Sequence, residues 1–190
     1  MILLLAVVIG LAGGLIRAAI TKTNLIRYRV DHLWLVVAAF IPQWLAFSFP
    51  LTRLSLPDPW VRASLVLSQL LLLIFALLNA RSPGFLLMMA GVGLNLVAIT
   101  LNGGLMPVTP ETVAWMAPGT EHLWEVGARF GHSKEIVLSQ AETKFWILTD
   151  IIRSPGFLPF RAAMSVGDMI LSLGAIQFLL GLTPPQKEME

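Results

Sequence analysis

The sequence predicts an all-α, polytopic membrane protein with about five transmembrane helices and an outer segment of short interfacial helices. Of the 190 residues, 56% are hydrophobic and only 13% are charged. A soluble domain carries roughly 25% charged residues, so charges this sparse would not keep so apolar a globule in water. The apolar residues also gather into five long runs. Lipid is therefore the expected solvent for most of the chain.

The five runs are long and apolar enough to cross a bilayer, for which about 17 to 25 residues are needed. A spanning segment satisfies its backbone polar groups internally, and barrel-like alternation is absent, so the runs are expected to be helices. The first run is expected to be retained, because its positive charges follow it instead of preceding it as in a secretory signal. We treat residues 1–190 as a single membrane domain. The expected spans are 2–20, 32–49, 61–80, 84–101 and 164–182.

Positive charges in the short connections predict the orientation, because Lys and Arg favour the cytoplasmic side. The 17–29 connection carries four of them and no acid, and the "NARSPG" hairpin at 79–84 carries Arg81. The expected location is the cell (plasma) membrane, a bacterial inner membrane. In this multi-pass arrangement the N-terminus lies outside and the C-terminal "TPPQKEME" lies in the cytoplasm. The 102–163 segment is then extracytoplasmic.

Helix-start signals in the 102–163 segment predict short helices at the outer membrane surface. In "TPET", Thr109 is a candidate N-cap with Pro110 at the first helical position. "APGT" at 117–120 is expected to stop that helix and to start another, "EHLWEVGARF". "SQAE" at 139–142 is a capping box that would open a third helix, "TKFWILTDII".

Small and polar residues in the spans predict helix–helix contacts. Gly10 and Gly14 form a small-xxx-small pair that lets two backbones approach closely, either within the protein or between two copies. Four polar residues in or near the spans are expected to hydrogen-bond across helices, and a polar pathway is the alternative. They are Gln43, Gln69, Asn79 and Asn95.

The hexapeptide "RSPGFL" occurs twice, at 81–86 and at 153–158, each time before a predicted span. Two similar helix starts of opposite direction are one sign of an inverted repeat, as in transporters. The alternative is that Ser-Pro-Gly is a common way to end one helix and to begin another.

Asp168 is the most informative single residue, because an acid within a spanning segment is costly and suggests function. Ser165 and Asp168 also have the S-x-x-D spacing of a capping box. Asp168 would then lie in the first turn of the last helix, where the positive end of the helix favours it. The two roles are compatible.

Two stretches, "LNGGLMP" at 101–107 and "SVGD" at 165–168, resemble sequences in a family of bacterial integral membrane proteins of unknown function. The family pattern has an Asn-Gly-Gly-x-Met-Pro stretch and a Ser-x-Gly-Asp stretch before the last helix, and "WILTDII" with Asp150 resembles a third stretch. The resemblance implies a polytopic membrane protein and supplies no activity. The matching residues of the first two stretches are Asn102, Gly103, Gly104, Met106, Pro107, Ser165, Gly167 and Asp168.

The candidate ligand-binding or structural polar residues all lie on the outer side of the expected topology. Gly103 and Gly104 allow backbone conformations that other residues avoid. We expect "LNGG" to fold back so that Asn102 hydrogen-bonds near Asp168 or Asp150. The full set of candidates is Asn102, Gly103, Gly104, Asp150, Ser165 and Asp168.

Several classes of site are not expected. The chain has no cysteine, which excludes disulfides, thiolate metal sites and a Cys nucleophile. His122 with Glu125, and His132 with Glu135, have metal-compatible spacing, but we favour solvated surface pairs. No catalytic or nucleotide-binding motif is present. We expect no catalytic residues, no metal, no cofactor and, with scattered Lys and Arg, no nucleic-acid partner.

Three functions follow, in order of preference. The first is a structural or accessory subunit of a larger respiratory or photosynthetic membrane complex, with the lipid bilayer and other membrane protein subunits as partners. The second is a small transporter or lipid-handling protein with a site at the outer end of the last helix. It predicts a cavity lined by Asn95, Gln69 and Asp168. The third is a membrane enzyme that uses Asp150, Asp168 or the His–Glu pairs.

Overall fold

The computed structural model describes residues 2–22 and 30–181. It is mostly helical, and its five long apolar helices occupy the positions of the predicted spans. The expectations for the C-terminal residues 182–190, and for the basic residues Arg27 and Arg29, fall outside the described part. The seven α-helices are α1 (Ile2–Thr21), α2 (Trp34–Phe47), α3 (Pro50–Arg53), α4 (Asp58–Leu78), α5 (Phe85–Leu101), α6 (Pro110–Met116) and α7 (Val166–Gly181).

Two of the described helices, Leu3–Thr21 and Asp58–Leu78, are long and apolar enough to cross a membrane. The helices α2, α5 and α7 are equally apolar in character but shorter. Large apolar side chains on all five point away from the protein, among them Leu4, Val37, Leu77, Leu86 and Leu173. Exposed apolar surface of this extent marks a membrane or protein interaction site. Two helices that could cross a membrane, together with this apolar surface, point toward a membrane location.

The long helices pack in the spatial order α1–α7–α5–α4–α2. One end of this bundle carries the short connections: the side chain of Asn79 hydrogen-bonds both the N–H and the carbonyl of Asp31. The other end carries α3 and the 102–165 segment, where Arg62 of α4 donates to the carbonyl of Gly103. We call these the hairpin end and the cavity end.

Glycines determine how closely α5 and α7 approach. The two helices are antiparallel neighbours, and Gly84 and Gly91 of one face Gly174 and Gly167 of the other. A Cβ added at Gly91 would lie 2.5 Å from the carbonyl oxygen of Gly167, so only a hydrogen fits there. The seven-residue spacing on both helices keeps the small residues on one face. The backbones therefore meet at two levels of the bundle.

The 102–165 segment has one α-helix, two 3-10 turns and four short strands, so the protein is mostly helical but lacks the expected set of interfacial helices here. Helix α6 begins as expected, with Thr109 accepting from the N–H of Thr112. The predicted helices "EHLWEVGARF" and "TKFWILTDII" contain single 3-10 turns at Glu121–Leu123 and Trp146–Leu148. Parallel strands β1 (Met106–Val108) and β2 (Glu135–Val137) pair, as do antiparallel β3 (Ile152–Arg153) and β4 (Ala163–Met164).

Backbone groups that a helix would need are bonded elsewhere, which explains the wrong helix predictions. The N–H of Lys144 donates to the side chain of Asn102. The N–H of Asp150 donates to the carbonyl of Pro107. A capping box supplies a start signal worth about 1 kcal/mol, which such long-range bonds outweigh.

The buried apolar core lies where the bundle meets the 102–165 segment. Leu65 of α4 and Ile99 of α5 pack there against Met106 of β1 and Ile136 of β2. A smaller cluster of Val108, Val113 and Val137 lies within the segment itself. The segment is thus a packed part of the fold at the cavity end.

Candidate functional site

A cavity of about 490 Å³ lies between the helix bundle and the 102–165 segment. All five long helices contribute to its wall, as do α6, β1, β2 and β4. Its volume falls in the range of small-molecule sites, about 300–1,000 Å³. The polar or charged residues of the wall are Gln43, Gln69, Asn95, Lys134, Glu135, Arg161 and Asp168.

Asn95, Ser165 and Asp168 form one hydrogen-bonded network on this wall. The amide of Asn95 donates to Asp168 Oδ1 at 2.7 Å, and the Ser165 hydroxyl donates to Asn95 Oδ1 at 2.7 Å. The capping box is present, because the N–H of Ser165 donates to Asp168 Oδ2 and the N–H of Asp168 donates to Ser165 Oγ. Both carboxylate oxygens of Asp168 therefore have partners. Gly167 provides the space, since a Cβ there would collide with Asn95.

Lys134 and Asp150 form a second polar pair beside the cavity. Lys134 Nζ lies 3.5 Å from Asp150 Oδ2, a loose contact for an ion pair. The Asp150 side chain is 1% exposed and its Oδ1 has no hydrogen-bond partner among the described residues. The Lys134 side chain is 39% exposed and lines the cavity.

Burial raises the pKa of Asp150 to about 7. The ammonium of Lys134 opposes this shift, while the negative charges of Asp168 and Glu135 reinforce it. The same pairing with Asp150 raises the pKa of Lys134, so the lysine keeps its positive charge. Near neutral pH the carboxyl is thus divided between its protonated and ionised forms.

Arg161 is the second cation on the cavity wall. It donates from Nη1 to the carbonyl of Trp115 at 3.0 Å, and its guanidinium lies 5.8 Å from the centroid of that indole ring. Arg153 contacts the same ring at 5.6 Å. Trp115 and the α6 backbone therefore position Arg161.

The "LNGG" stretch approaches the site through its backbone, and the expected bond from Asn102 to Asp150 or Asp168 is wrong. The Asn102 amide donates to the carbonyls of Ala98 and Lys144, and its oxygen accepts from the N–H of Lys144. Gly103 and Gly104 both have positive φ and lie against Arg62. The turn sends the chain directly into β1, from which the Pro107 carbonyl reaches Asp150.

The other candidates lie away from the cavity. Gly10 and Gly14 face Leu179 of α7, within the same chain. The second "RSPGFL" copy includes part of β3 and the turn after it, so it does not begin a helix as the first copy does. Among the described residues, no three His, Asp or Glu side chains cluster in a way that could hold a metal ion.

Sequence reasoning missed the two cations, Lys134 and Arg161. No spacing rule connects Lys134 with Asp150, because the pairing of β1 with β2 brings them together. The low number of charged residues was a usable signal. In a chain with so few ionisable side chains, an acid and a lysine that lie next to short apolar strands are candidates for a buried ion pair.

The comparisons with known proteins agree with the sequence interpretation at the level of the family. A profile of a "family of unknown function (DUF5317)" matches residues 27–180. An uncharacterized protein of Thermotoga maritima is 30% identical over 162 residues, which cover 83% of this chain and 79% of that protein. No solved structure matches the chain.

Proposed function

Because the chain belongs to the DUF5317 family, whose function is unknown, we propose a function from geometry: it is a multi-pass membrane protein that binds a small polar molecule or a lipid headgroup in its cavity. It serves as a small transporter or lipid-handling protein. The observation that carries this proposal is the 490 Å³ cavity, to which every long helix contributes.

The membrane arrangement is part of the proposal. All five long helices cross the bilayer, with the cavity end outside and the hairpin end in the cytoplasm. The apolar outer faces of all five helices support five crossings. Arg17, Lys22 and Arg81 at the hairpin end support the orientation, because positive charge favours the cytoplasmic side. The cavity then lies at the depth of the outer headgroups.

Polar groups on the wall that lack protein partners support ligand binding. Among the described residues, the ammonium of Lys134 has one hydrogen-bonding contact, the loose one with Asp150. The side chain of Gln69 makes no hydrogen bond with the described residues, although it lines the cavity. Pockets that bind small molecules typically combine apolar walls with a few such convergent polar groups.

The accessory-subunit function is less well supported. A subunit that only packs against others needs apolar or glycine-rich faces and no polar cavity. The enzyme function lacks support as well, because Asp150 and Asp168 share no hydrogen bond and Asp168 is fully engaged by Asn95 and Ser165.

Native mass spectrometry of the full chain, purified in a mild detergent, tests the proposal. We expect a single bound molecule per chain in the wild type. Ala163→Phe, on the cavity wall, should abolish it, whereas Ala141→Phe, on the exposed surface, should not. Melting curves of both variants check that they fold. Equal occupancy in the two variants, or stoichiometric co-migration of an empty chain with a larger complex, would contradict it.

A further inference from the structure

We propose that the cavity binds a phosphate group, either of a lipid headgroup or of a small soluble phosphate, between Lys134 and Arg161. The inference deepens the proposed function and rests on it. It names the chemistry of the ligand from the groups that the protein leaves unsatisfied on the cavity wall.

The first step is the balance of charges on the wall. Lys134 and Arg161 are its cations, and Glu135 and Asp168 are its acids. Asp168 already accepts hydrogen bonds at both oxygens, from Asn95 and from the N–H of Ser165. The formal charges of the wall therefore cancel, but among the described residues neither Lys134 nor Arg161 hydrogen-bonds an acid of the wall, so both cations keep donors for an anionic ligand.

The second step is the supply of donors. The ammonium of Lys134 has three N–H groups, and within the described part of the chain its one ion-pair contact is 3.5 Å long. Arg161 uses one Nη for Trp115 and keeps further donors. The amide of Gln69 adds donors that no described residue accepts. A phosphate group, with several acceptor oxygens, suits this set of donors.

The third step is the role of Asp150. Its carboxyl holds Lys134 in place from the buried side, at a distance that does not neutralise the ammonium completely. When a phosphate oxygen approaches from the cavity, Lys134 can turn toward it, because burial raises the pKa of Asp150 and so eases protonation of the carboxyl that the ammonium leaves. Glu135 and Asp168 also face Asp150, and their negative charges favour this protonation.

Calorimetric titration of the full chain in lipid-free detergent tests the inference. The soluble probes are inorganic phosphate and glycerol 3-phosphate. The lipid probes are dihexanoyl phosphatidylglycerol and, as the phosphate-free match, dihexanoylglycerol. Binding of inorganic phosphate or glycerol 3-phosphate identifies the ligand as a soluble phosphate. Binding of phosphatidylglycerol alone identifies the ligand as a lipid headgroup. Either result supports the inference.

Three substitutions make the test specific. Lys134→Gln should lower the affinity for the phosphate probe by roughly tenfold to a hundredfold, the range expected for a lost charge-assisted hydrogen bond. Lys134→Arg should retain most of the affinity. Glu135→Gln should tighten binding, because it removes the like charge. Lys144→Gln, on the exposed surface of the same segment, is the matched control and should change nothing.

The outcomes separate this inference from the proposed function. Equal affinity for dihexanoylglycerol and phosphatidylglycerol, or no effect of Lys134→Gln, would overturn the phosphate inference. If the co-purified molecule were nevertheless lost in Ala163→Phe, the cavity proposal would stand. If no probe bound and Ala163→Phe retained whatever the wild type carries, both proposals would fail.

Discussion

At the residue scale, two groups of polar side chains lie at or beside the cavity wall. Asn95, Ser165 and Asp168 satisfy one another, so they hold α5 and α7 at the cavity end. Lys134 and Asp150 are only partly satisfied, with a long contact and a buried oxygen that has no described partner. Buried polar groups are normally paired, so the second pair is where function is expected.

Replacing Asn95 with Ala tests the first group. The change removes the Asn95 side-chain amide, to which Asp168 Oδ1 and the Ser165 hydroxyl are hydrogen-bonded in the interior of the protein. We expect the free energy of unfolding in detergent to fall by about 1–3 kcal/mol. Thr100→Ala, at an exposed position of the same helix, is the control and should cost less than about 0.5 kcal/mol. Equal losses in the two variants would contradict the network's role.

Replacing Asp150 with Asn tests the buried carboxyl through pH. Its pKa is raised in the folded protein from 3.8 to about 7, so between these values the folded state holds a proton that the unfolded chain releases. Raising the pH through this window therefore destabilises the fold, and the contribution is fully present only below about pH 4.

Chemical denaturation across that pH window checks this prediction. The free energy of unfolding of the wild type should fall more steeply with rising pH than that of Asp150→Asn. Glu125→Gln, at an exposed position, should follow the wild type. Parallel curves for the wild type and Asp150→Asn would show that Asp150 titrates normally.

At the scale of elements, glycines make the contact between α5 and α7 possible. Gly91 and Gly167 meet with no room for a methyl group on either side. This contact lies one turn from Asn95, so the close approach also brings the Asn95 amide within reach of Asp168. The polar network depends on the glycine contact.

Gly91→Ala should therefore force the two helices apart. The expected cost is about 1–3 kcal/mol, as for other overpacked sites. Gly93→Ala is a matched control on the same helix, because a Cβ there meets nothing within 4 Å. It should leave stability unchanged or raise it by up to about 1 kcal/mol, since Ala favours helix. Thermal melting in detergent compares the two, and equal effects would refute the packing argument.

At the scale of the whole molecule, the fold has two layers with different surfaces. The bundle exposes apolar side chains as lipid requires, whereas the 102–165 segment packs its own small core on the cavity end. The cavity lies between the layers, where a polar ligand from water or from the headgroup region would meet the helix ends. If the proposed orientation is right, the 102–165 segment is accessible from outside the cell and the hairpin end is not.

Cysteine labelling in intact cells tests that orientation, because the chain has no cysteine of its own. Ala141→Cys, in the 102–165 segment, should react with a membrane-impermeant maleimide added outside. Ser82→Cys, in the hairpin between α4 and α5, should react only after the cells are permeabilised. The reverse pattern would invert the proposed topology, and labelling of both from outside would contradict the proposed crossings.

The sequence by itself determined the positions of the five long helices, the start of α6 and the capping box of α7. These features depend on local information: apolar runs whose backbones bond within the segment, and side chains that cap their own helix. It also supplied the expected cavity residues Asn95, Gln69 and Asp168 for the transporter or lipid-handling function. Each was visible as a polar residue in or near an apolar run.

Only the tertiary structure decided the partners of these residues. Asn102 bonds Lys144 instead of a carboxylate, and the 143–152 stretch forms no α-helix, because backbone donors there reach Asn102 and Pro107. The Lys134–Asp150 pair depends on the pairing of β1 with β2, whose partner residues, such as Met106 and Glu135, are far apart in the sequence. No local pattern records such contacts, because they join residues that are distant in the chain and that meet only when the 102–165 segment folds.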